Sequence, residues 1–307
     1  MSTPYHEPVL GPEVVDRLAP HGDGLYLDGT VGGGGHALLI LEACPTCRLL
    51  AVDRDPEALV AARARLAPWG DRVRFLQARF DQAPEDAEVQ EAGLDGALLD
   101  LGISSRHVDA DERGFSFRPG IALDMRMAGT GSTAADLLNG ADEEELGRIF
   151  RELAEEPRGR ALAREVVRRR QEAPFRTSDD LVDALASTLR RDPTHQDRAR
   201  VFQALRMVVN GELESLARAL DAIREVLNHG AVLVVIAYHS LEDRLVKRAF
   251  REWSRSCVCP PGFPVCRCRG RALGESLTRK PVRPGAAEVA RNPRARSALL
   301  RAWRKAA

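Results

Sequence analysis

The sequence predicts an α/β fold: a parallel β-sheet covered by helices, with an all-helical domain inserted into it. Three observations predict it. Short apolar runs alternate with helical stretches from Leu25 to Asp100. That alternation then gives way to purely helical periodicity. A buried-strand pattern, AVLVVIA, returns at Ala231–Ala237.

The first strand is Leu25–Leu27, which runs into Asp28 and a glycine cluster, and residues 35–44 read as a helix. Leu49–Val52 is the second strand and ends at Asp53. A helix with proline at an early position follows over Pro56–Leu66. Val73–Leu76 and Ala97–Leu99 read as the third and fourth strands, the latter ending at Asp100. Gly114–Gly131 is rich in Gly, Arg and Met and reads as a long loop. From Thr133 to Leu227 the periodicity is helical, with Thr177 or Ser178 placed to cap one helix ahead of Asp179 and Asp180. Arg198–Leu227 is the longest helical pattern, and Gly211 within it predicts a bend; Gly230 reads as its end. The tail from Ser256 to Pro293 reads as a surface segment, after which Ala298–Leu300 rejoins the sheet. These elements predict an α/β domain from residues 1–105 plus 215–307, and an inserted helical domain at 106–214.

The chain of 307 residues is 44% hydrophobic, enough for a sizeable core. It has no apolar run of roughly 18 residues, which excludes a spanning helix. Its start lacks a basic region followed by an apolar stretch, so a cytoplasmic protein without membrane partners is expected. The net charge of zero hides an asymmetry. Ser254–Ala307 carries 13 Lys and Arg against two acids, Glu275 and Glu288. Such a segment suits a phosphate backbone, or is simply a solvated tail.

Asp28-Gly29-Thr30-Val31-Gly32-Gly33-Gly34-Gly35-His36 falls at a strand-to-helix turn. Glycines there let a ligand approach the backbone, and the helix start offers unpaired N–H groups. Asp53 ends the second strand, where a carboxylate can bind both ribose hydroxyls. Two cofactors fit. A dinucleotide would use Gly32-x-Gly34-x-x-Ala37 for its pyrophosphate. S-adenosylmethionine (SAM) would place its ammonium on Asp28. A purely structural glycine turn is the third reading. Asp28, Asp53 and Asp100 all fall at strand carboxyl ends, which is where open α/β sheets bind ligands.

Longer segments carry a resemblance. HEPVL at His6–Leu10, DGTVGGGGH at Asp28–His36, VDRDPEA at Val52–Ala58 and LLDLGISS at Leu98–Ser105 open the series. RGFSF at Arg113–Phe117, LDMRM at Leu123–Met127 and FQALRMVVNGEL at Phe202–Leu213 follow. YHSLEDRLVKRAF at Tyr238–Phe250 and NPRARSALLR at Asn292–Arg301 close it. In order, and over nearly the whole chain, these resemble the RsmH (MraW) family of ribosomal RNA small subunit methyltransferases. The resemblance implies a Rossmann-like class I SAM-dependent methyltransferase domain whose helical insertion recognises the substrate. It implies N4-methylation of a cytidine in the decoding region of 16S rRNA, within the small ribosomal subunit. It implies SAM contacts at Gly34, Gly35, His36, Asp53, Phe80 and Asp100. His107 stands where the family usually has Gln, as a further cofactor contact. Val31 and Gly33 replace a common Phe and Arg, Asp197–Arg200 replaces a His-Pro-Ala-Thr, and Tyr238 replaces a common Phe.

Methylating a cytosine amine requires in-line placement and a group that aligns the amine and takes its proton. Asp100 is the first catalytic candidate. His239, at the end of the fifth strand, is the second, with helix capping as its structural reading. A base turned out of folded RNA could stack on Phe115 and Phe117, unless these are buried as packing. Arg113, Arg118, Arg126 and Arg244 are candidate phosphate or base contacts. Asn210 is a candidate base contact, or satisfies backbone groups. A transfer to DNA or tRNA, an NAD-dependent oxidoreductase and an RNA-binding module with a decayed cofactor site are the rival readings. The sequence sets no oligomeric state.

Six cysteines are too few for a disulfide scaffold. Cys257-x-Cys259 and Cys266-x-Cys268 place four thiols close together, a donor set for structural zinc. Cys44 and Cys47 have redox-pair spacing but follow the first helix, away from the strand ends, which favours coincidence.

Overall fold

The computed structural model describes residues 7–102, 113–260, 265 and 267–307. The chain divides into two compact units, Met1–Gly102 with Glu214–Ala307, and Ile103–Leu213.

The first unit is built on a seven-stranded sheet. Its strands are β1 (Leu25–Asp28), β2 (Arg48–Asp53), β3 (Val73–Gln77), β4 (Leu94–Asp100), β5 (Leu227–Ala237), β6 (Gly274–Ser276) and β7 (Leu299–Lys305). Their order is β3-β2-β1-β4-β5-β7-β6. β1 to β5 are parallel, and β7 runs antiparallel to both β5 and β6. Strand order reverses at β1, which pairs with β2 on one side and β4 on the other. This is a Rossmann-like α/β sheet with its switch point between β1 and β4.

The central strands are apolar along their length because helices cover both faces. Side-chain alternation assigns the faces. Tyr26, Leu49, Ala51, Leu98 and Val234 pack toward α1 (Gly11–Leu18), α2 (Gly35–Ala43) and α3 (Pro56–Leu66). Leu27, Leu50, Val52, Leu99 and Val235 pack toward α10 (Glu212–Val226) and α11 (Ser240–Trp253). On that second face Trp303 of β7 meets Trp253 edge-on at 5.0 Å. The short α4 (Ala87–Ala92) precedes β4, and α12 (Ala286–Arg291) precedes β7.

The second unit holds α5 (Ala134–Gly140), α6 (Glu143–Arg148), α7 (Gly159–Arg170), α8 (Ser178–Leu189) and α9 (His195–Asn210). Capping boxes fix three of their starts: Thr133 with Asp136, Thr177 with Asp180 and Thr194 with Asp197. Thr177, rather than Ser178, is therefore the cap of α8.

Two expectations are corrected. The Arg198–Leu227 pattern is two helices, because Gly211 takes φ 58° and ends α9. Gly230 does not end a helix. β5 starts at Leu227 and accommodates Gly230, at φ 80°, in a bulge opposite Leu94–Gly96. The tail runs along the surface as expected, with β6 and α12 formed within it.

Candidate active site

The site is built where β1 hands over to α2. The connecting loop is tied to both neighbouring strands: Gly29 N–H donates to the Leu98 carbonyl, and Val31 N–H to that of Val52, each at 2.9 Å. A side chain at Gly29 would meet Leu99 at 2.6 Å and Phe80 at 3.1 Å, so glycine is needed for the loop to pass between them. Gly34 caps α2 with φ 77°, a conformation that glycine adopts without strain.

Three carboxylates flank this loop. Asp28 ends β1 and is 1% exposed. Its Oδ1 accepts from Thr30 N–H at 3.2 Å, while its Oδ2 is buried with no hydrogen-bond partner. Burial pushes its carboxyl up to about 7; the nearby Asp100 and Asp53 charges add to this, and His36 opposes it. Asp53 ends β2, and its oxygens accept from Gly32 N–H and Asp55 N–H, each at 2.9 Å. Asp100 ends β4; its own N–H donates to Thr30 Oγ1 at 2.7 Å.

His36 lies in the first turn of α2 and is buried. Its Nε2–H donates to the Val9 carbonyl at 2.9 Å, since a carbonyl only accepts. Its Nδ1 therefore faces Asp100 Oδ2, at 3.6 Å. Gly34 and Gly35 are closely backed, by Leu66 and Pro8 respectively, at 3.3 Å from where a Cβ would stand. Asp28, Gly34, Gly35, His36, Asp53, Phe80 and Asp100 thus gather around one loop. His107 lies outside the described residues.

His239 is the N-cap of α11, where its Nδ1 accepts from Glu242 N–H at 3.4 Å. Its Nε2 is 3.0 Å from Glu242 Oε1, and Glu242 itself is buried. Tyr238 precedes it, and its ring packs against Gly102. Burial raises the Tyr238 phenol well above its ordinary range, and the facing Asp100 carboxylate adds to the shift. The sequence reading took Tyr238 as a mild departure and missed that its hydroxyl addresses Asp100.

The candidate substrate residues of the second unit form a local scaffold. Asn210 Nδ2–H donates to the carbonyls of Met125 and Arg206, both at 2.8 Å, and its Oδ1 accepts from Met127 N–H at 3.0 Å. It holds a buried turn in which Met125 takes φ 62°. Arg126 forms a bidentate pair with Asp124, at 2.9 and 2.7 Å. Gly114, at φ 74°, presses on the backbone of Ala122 and Asp124, and Arg113 accepts at its carbonyl from Met125 N–H. Phe117 packs edge-on against His195 and Phe202, with centroids 5.0 and 5.7 Å away. Phe115 is partly buried and Arg118 exposed. Arg244 is exposed on α11, in the first unit.

A cationic feature of the second unit was not singled out from the sequence. Arg151, Arg158, Arg160 and Arg164 line a cavity of about 580 Å³ beside the start of α7. The signal was present: Arg160 and Arg164 stand one turn apart. High arginine content elsewhere obscured it.

Cys44 and Cys47 are buried in the first unit, and burial pushes the Cys47 thiol up to about 12. A thiol so shifted is inert, which agrees with coincidental spacing. Cys257, Cys259 and Cys268 come together, whereas Cys266 lies outside the described residues. Among the described residues no helix is long and apolar enough to cross a membrane.

Comparison with known proteins agrees with the motif pattern. A protein named ribosomal RNA small subunit methyltransferase H from Gemmatimonas aurantiaca is 50% identical, covering 98% of this chain and 96% of its own length. Proteins of the same name from Symbiobacterium thermophilum and Anaeromyxobacter dehalogenans are 46% and 49% identical, covering 97% and 98% of this chain and 96% and 97% of theirs. Among solved structures, an rRNA methylase from Streptococcus thermophilus gives a TM-score of 0.44 at 10% identity, over 96% of this chain and 95% of that one. At that level of likeness the assignment rests on the sequence relatives. The sequence model of the MraW methylase family matches residues 3–306, and the chain belongs to that family.

Proposed function

We propose that this chain is a SAM-dependent methyltransferase acting on N4 of a cytidine in the decoding region of 16S rRNA. The observation that carries the reading is the orphaned Oδ2 of Asp28. It is a buried carboxylate oxygen without a partner, between Asp53 and Asp100, at the switch point of a sheet. Leaving such an atom unpaired is unfavourable by several kcal/mol when charged, unless a cationic ligand completes it. The ammonium of SAM is such a ligand. A dinucleotide offers no ammonium at this place, which disfavours the oxidoreductase reading.

In this reading Asp28 holds the methionyl ammonium, Asp53 the ribose hydroxyls, and the amides of Gly34 and Gly35 approach the ligand closely. Phe80 walls one side. His36, and His107 beyond the described residues, complete the contacts. SAM supplies an electrophilic methyl group. The chain's own residues align the acceptor: Asp100 orients the cytosine amine and accepts its proton, with its backbone fixed by Thr30. Tyr238, facing Asp100, holds that carboxylate in place. Methyl transfer releases one proton, and His239, held by Glu242, is the alternative to Asp100 as its acceptor. Arg151, Arg160 and Arg164 of the helical unit, together with Arg244 and the basic tail, contact phosphates. The helical unit thereby recognises the substrate. The enzyme acts in the cytoplasm on rRNA of the small ribosomal subunit.

Nucleoside mass spectrometry of 16S rRNA from a deletion strain tests the activity. Loss of N4-methylcytidine, restored by the wild-type chain but not by Asp100→Ala, is expected. Unchanged N4-methylcytidine in the deletion strain refutes it. His239→Asn, which keeps the cap, should lower kcat while leaving KM for RNA unchanged.

A further inference from the structure

Between the end of α11 and β6 the described residues are mostly exposed or half-buried. Val258 and Val265 are exposed there, and none of the described residues from Arg255 to Arg271 belongs to either hydrophobic cluster. The base of the segment is closed by Leu273 N–H donating to the Trp253 carbonyl at 2.8 Å, and by Arg269 donating to that of Arg255 at 2.9 Å. Beyond that base the thiols of Cys257, Cys259 and Cys268 converge, with every Sγ within 4.8 Å of the other two. The Cys257 and Cys268 sulfurs are 3.9 Å apart. A tetrahedral ion with metal–sulfur bonds of about 2.3 Å holds its sulfurs about 3.8 Å apart. A disulfide needs about 2.05 Å. Val258 N–H also points at Cys268 Sγ, at 3.3 Å, as an amide does toward a thiolate.

We infer that Cys257, Cys259 and Cys268 bind a structural zinc ion that orders this segment. The fourth place of the tetrahedron falls to a further donor. On binding, each thiol gives its proton to solvent and its sulfur lone pair to the ion, with no change of oxidation state. The ion is remote in sequence from Asp28, Asp53 and Asp100 and serves order rather than methyl transfer. It keeps a strongly basic segment in one conformation where no hydrophobic core does so.

The full-length chain, purified without chelator, is assayed for metal by elemental analysis and for thiolate ligation by cobalt(II) substitution. One zinc per chain and an intense sulfur-to-cobalt charge-transfer band are expected, and both are lost in Cys257→Ser and Cys268→Ser. Limited trypsin digestion gives a second readout on the wild-type chain. Chelator should accelerate cleavage at Arg267–Arg271 severalfold, and zinc, but not magnesium, should reverse this. Absence of zinc from the reduced wild-type chain after zinc is supplied overturns the inference. So does retention of zinc by both serine variants, or a disulfide between these cysteines in the freshly isolated protein.

Discussion

The loop Gly29–Gly34 and the segment Arg113–Met127 both lie outside the named helices and strands, and in each a polar side chain from outside the segment engages the backbone. Asp53 holds the first through Gly32 N–H, and Asn210 holds the second through Met125 and Met127. They differ in what they leave over. Every polar atom of the Asn210 amide is engaged, with two donor contacts and one acceptor contact inside the unit. Beside the glycine loop, a buried carboxylate oxygen of Asp28 has no partner. On the proposed reading a ligand completes the first loop, whereas Asn210 spends its hydrogen bonds within its own unit. Motif specificity alone does not separate the two cases, since both segments are equally distinctive as sequence.

The largest effect that tests this contrast is on cofactor affinity. Asp28→Asn keeps the shape of the side chain and removes the charge. SAM affinity should fall by roughly 100-fold, about 3 kcal/mol, as read by isothermal calorimetry. The chain without ligand should be no less stable, because a desolvated charge has gone. Unaltered affinity would break the comparison at its root. The pH dependence follows from the same group. Its folded value near 7 lies above the ordinary carboxylate value. From about pH 4 to 7 the folded state keeps a proton that the unfolded chain has released. The unliganded chain should therefore lose stability as pH rises through that window and level off above it. SAM affinity should move the other way, rising through pH 7 as the carboxylate forms. Asp28→Asn should flatten both profiles, and a wild-type affinity independent of pH would argue against an ammonium on Asp28.

The reciprocal experiment acts on the other loop. Asn210→Ala strips three hydrogen bonds from a buried turn, one of whose residues has positive φ. Stability should fall by about 2–3 kcal/mol, read from the urea midpoint. Affinity for SAM below the transition should be unchanged. If Asn210→Ala instead leaves stability intact and lowers RNA affinity, Asn210 is a substrate contact and the scaffold reading is wrong.

The sequence made the α/β sheet and its three strand-end acids legible because period and position carry them: apolar runs end at Asp28, Asp53 and Asp100. The Gly211 break was visible as a glycine, but periodicity continues across it, so two helices read as one. The bulge at Gly230 was hidden because a bulged strand loses its alternation there. That Asn210 satisfies backbone groups was one of its two readings, but which groups it serves, and that Arg126 pairs with Asp124, depend on partners whose positions only the folded turn fixes. The same limit explains Tyr238: nothing in a Phe-to-Tyr change says which carboxylate the hydroxyl will face.

A smaller effect is expected on the helical unit, where the proposed contacts are electrostatic. Arg160 and Arg164 are exposed on α7 beside the arginine-lined cavity. Replacing both by Glu should weaken binding of a 16S rRNA fragment and make its dependence on log salt shallower by about 1–2. SAM affinity should not change. An unaltered salt dependence would remove this surface from the substrate path.

The smallest expected effect sharpens the account of the glycine loop itself. Thr30 stands where a glycine is usual in nucleotide loops. In the folded chain its hydroxyl accepts the Asp100 N–H at 2.7 Å, tying the end of β4 to the loop that follows β1. That bond sets two of the three carboxylates relative to each other, since Thr30 N–H also donates to Asp28. Thr30→Val keeps the shape and leaves the Asp100 amide without its acceptor, which should lower stability by about 1 kcal/mol. Thr30→Ser keeps the hydroxyl and should lose less. If positioning of Asp100 is what the hydroxyl provides, kcat falls in Thr30→Val while SAM affinity changes little. Equal losses in Thr30→Val and Thr30→Ser would instead make the methyl group, packed in the loop, the part that matters.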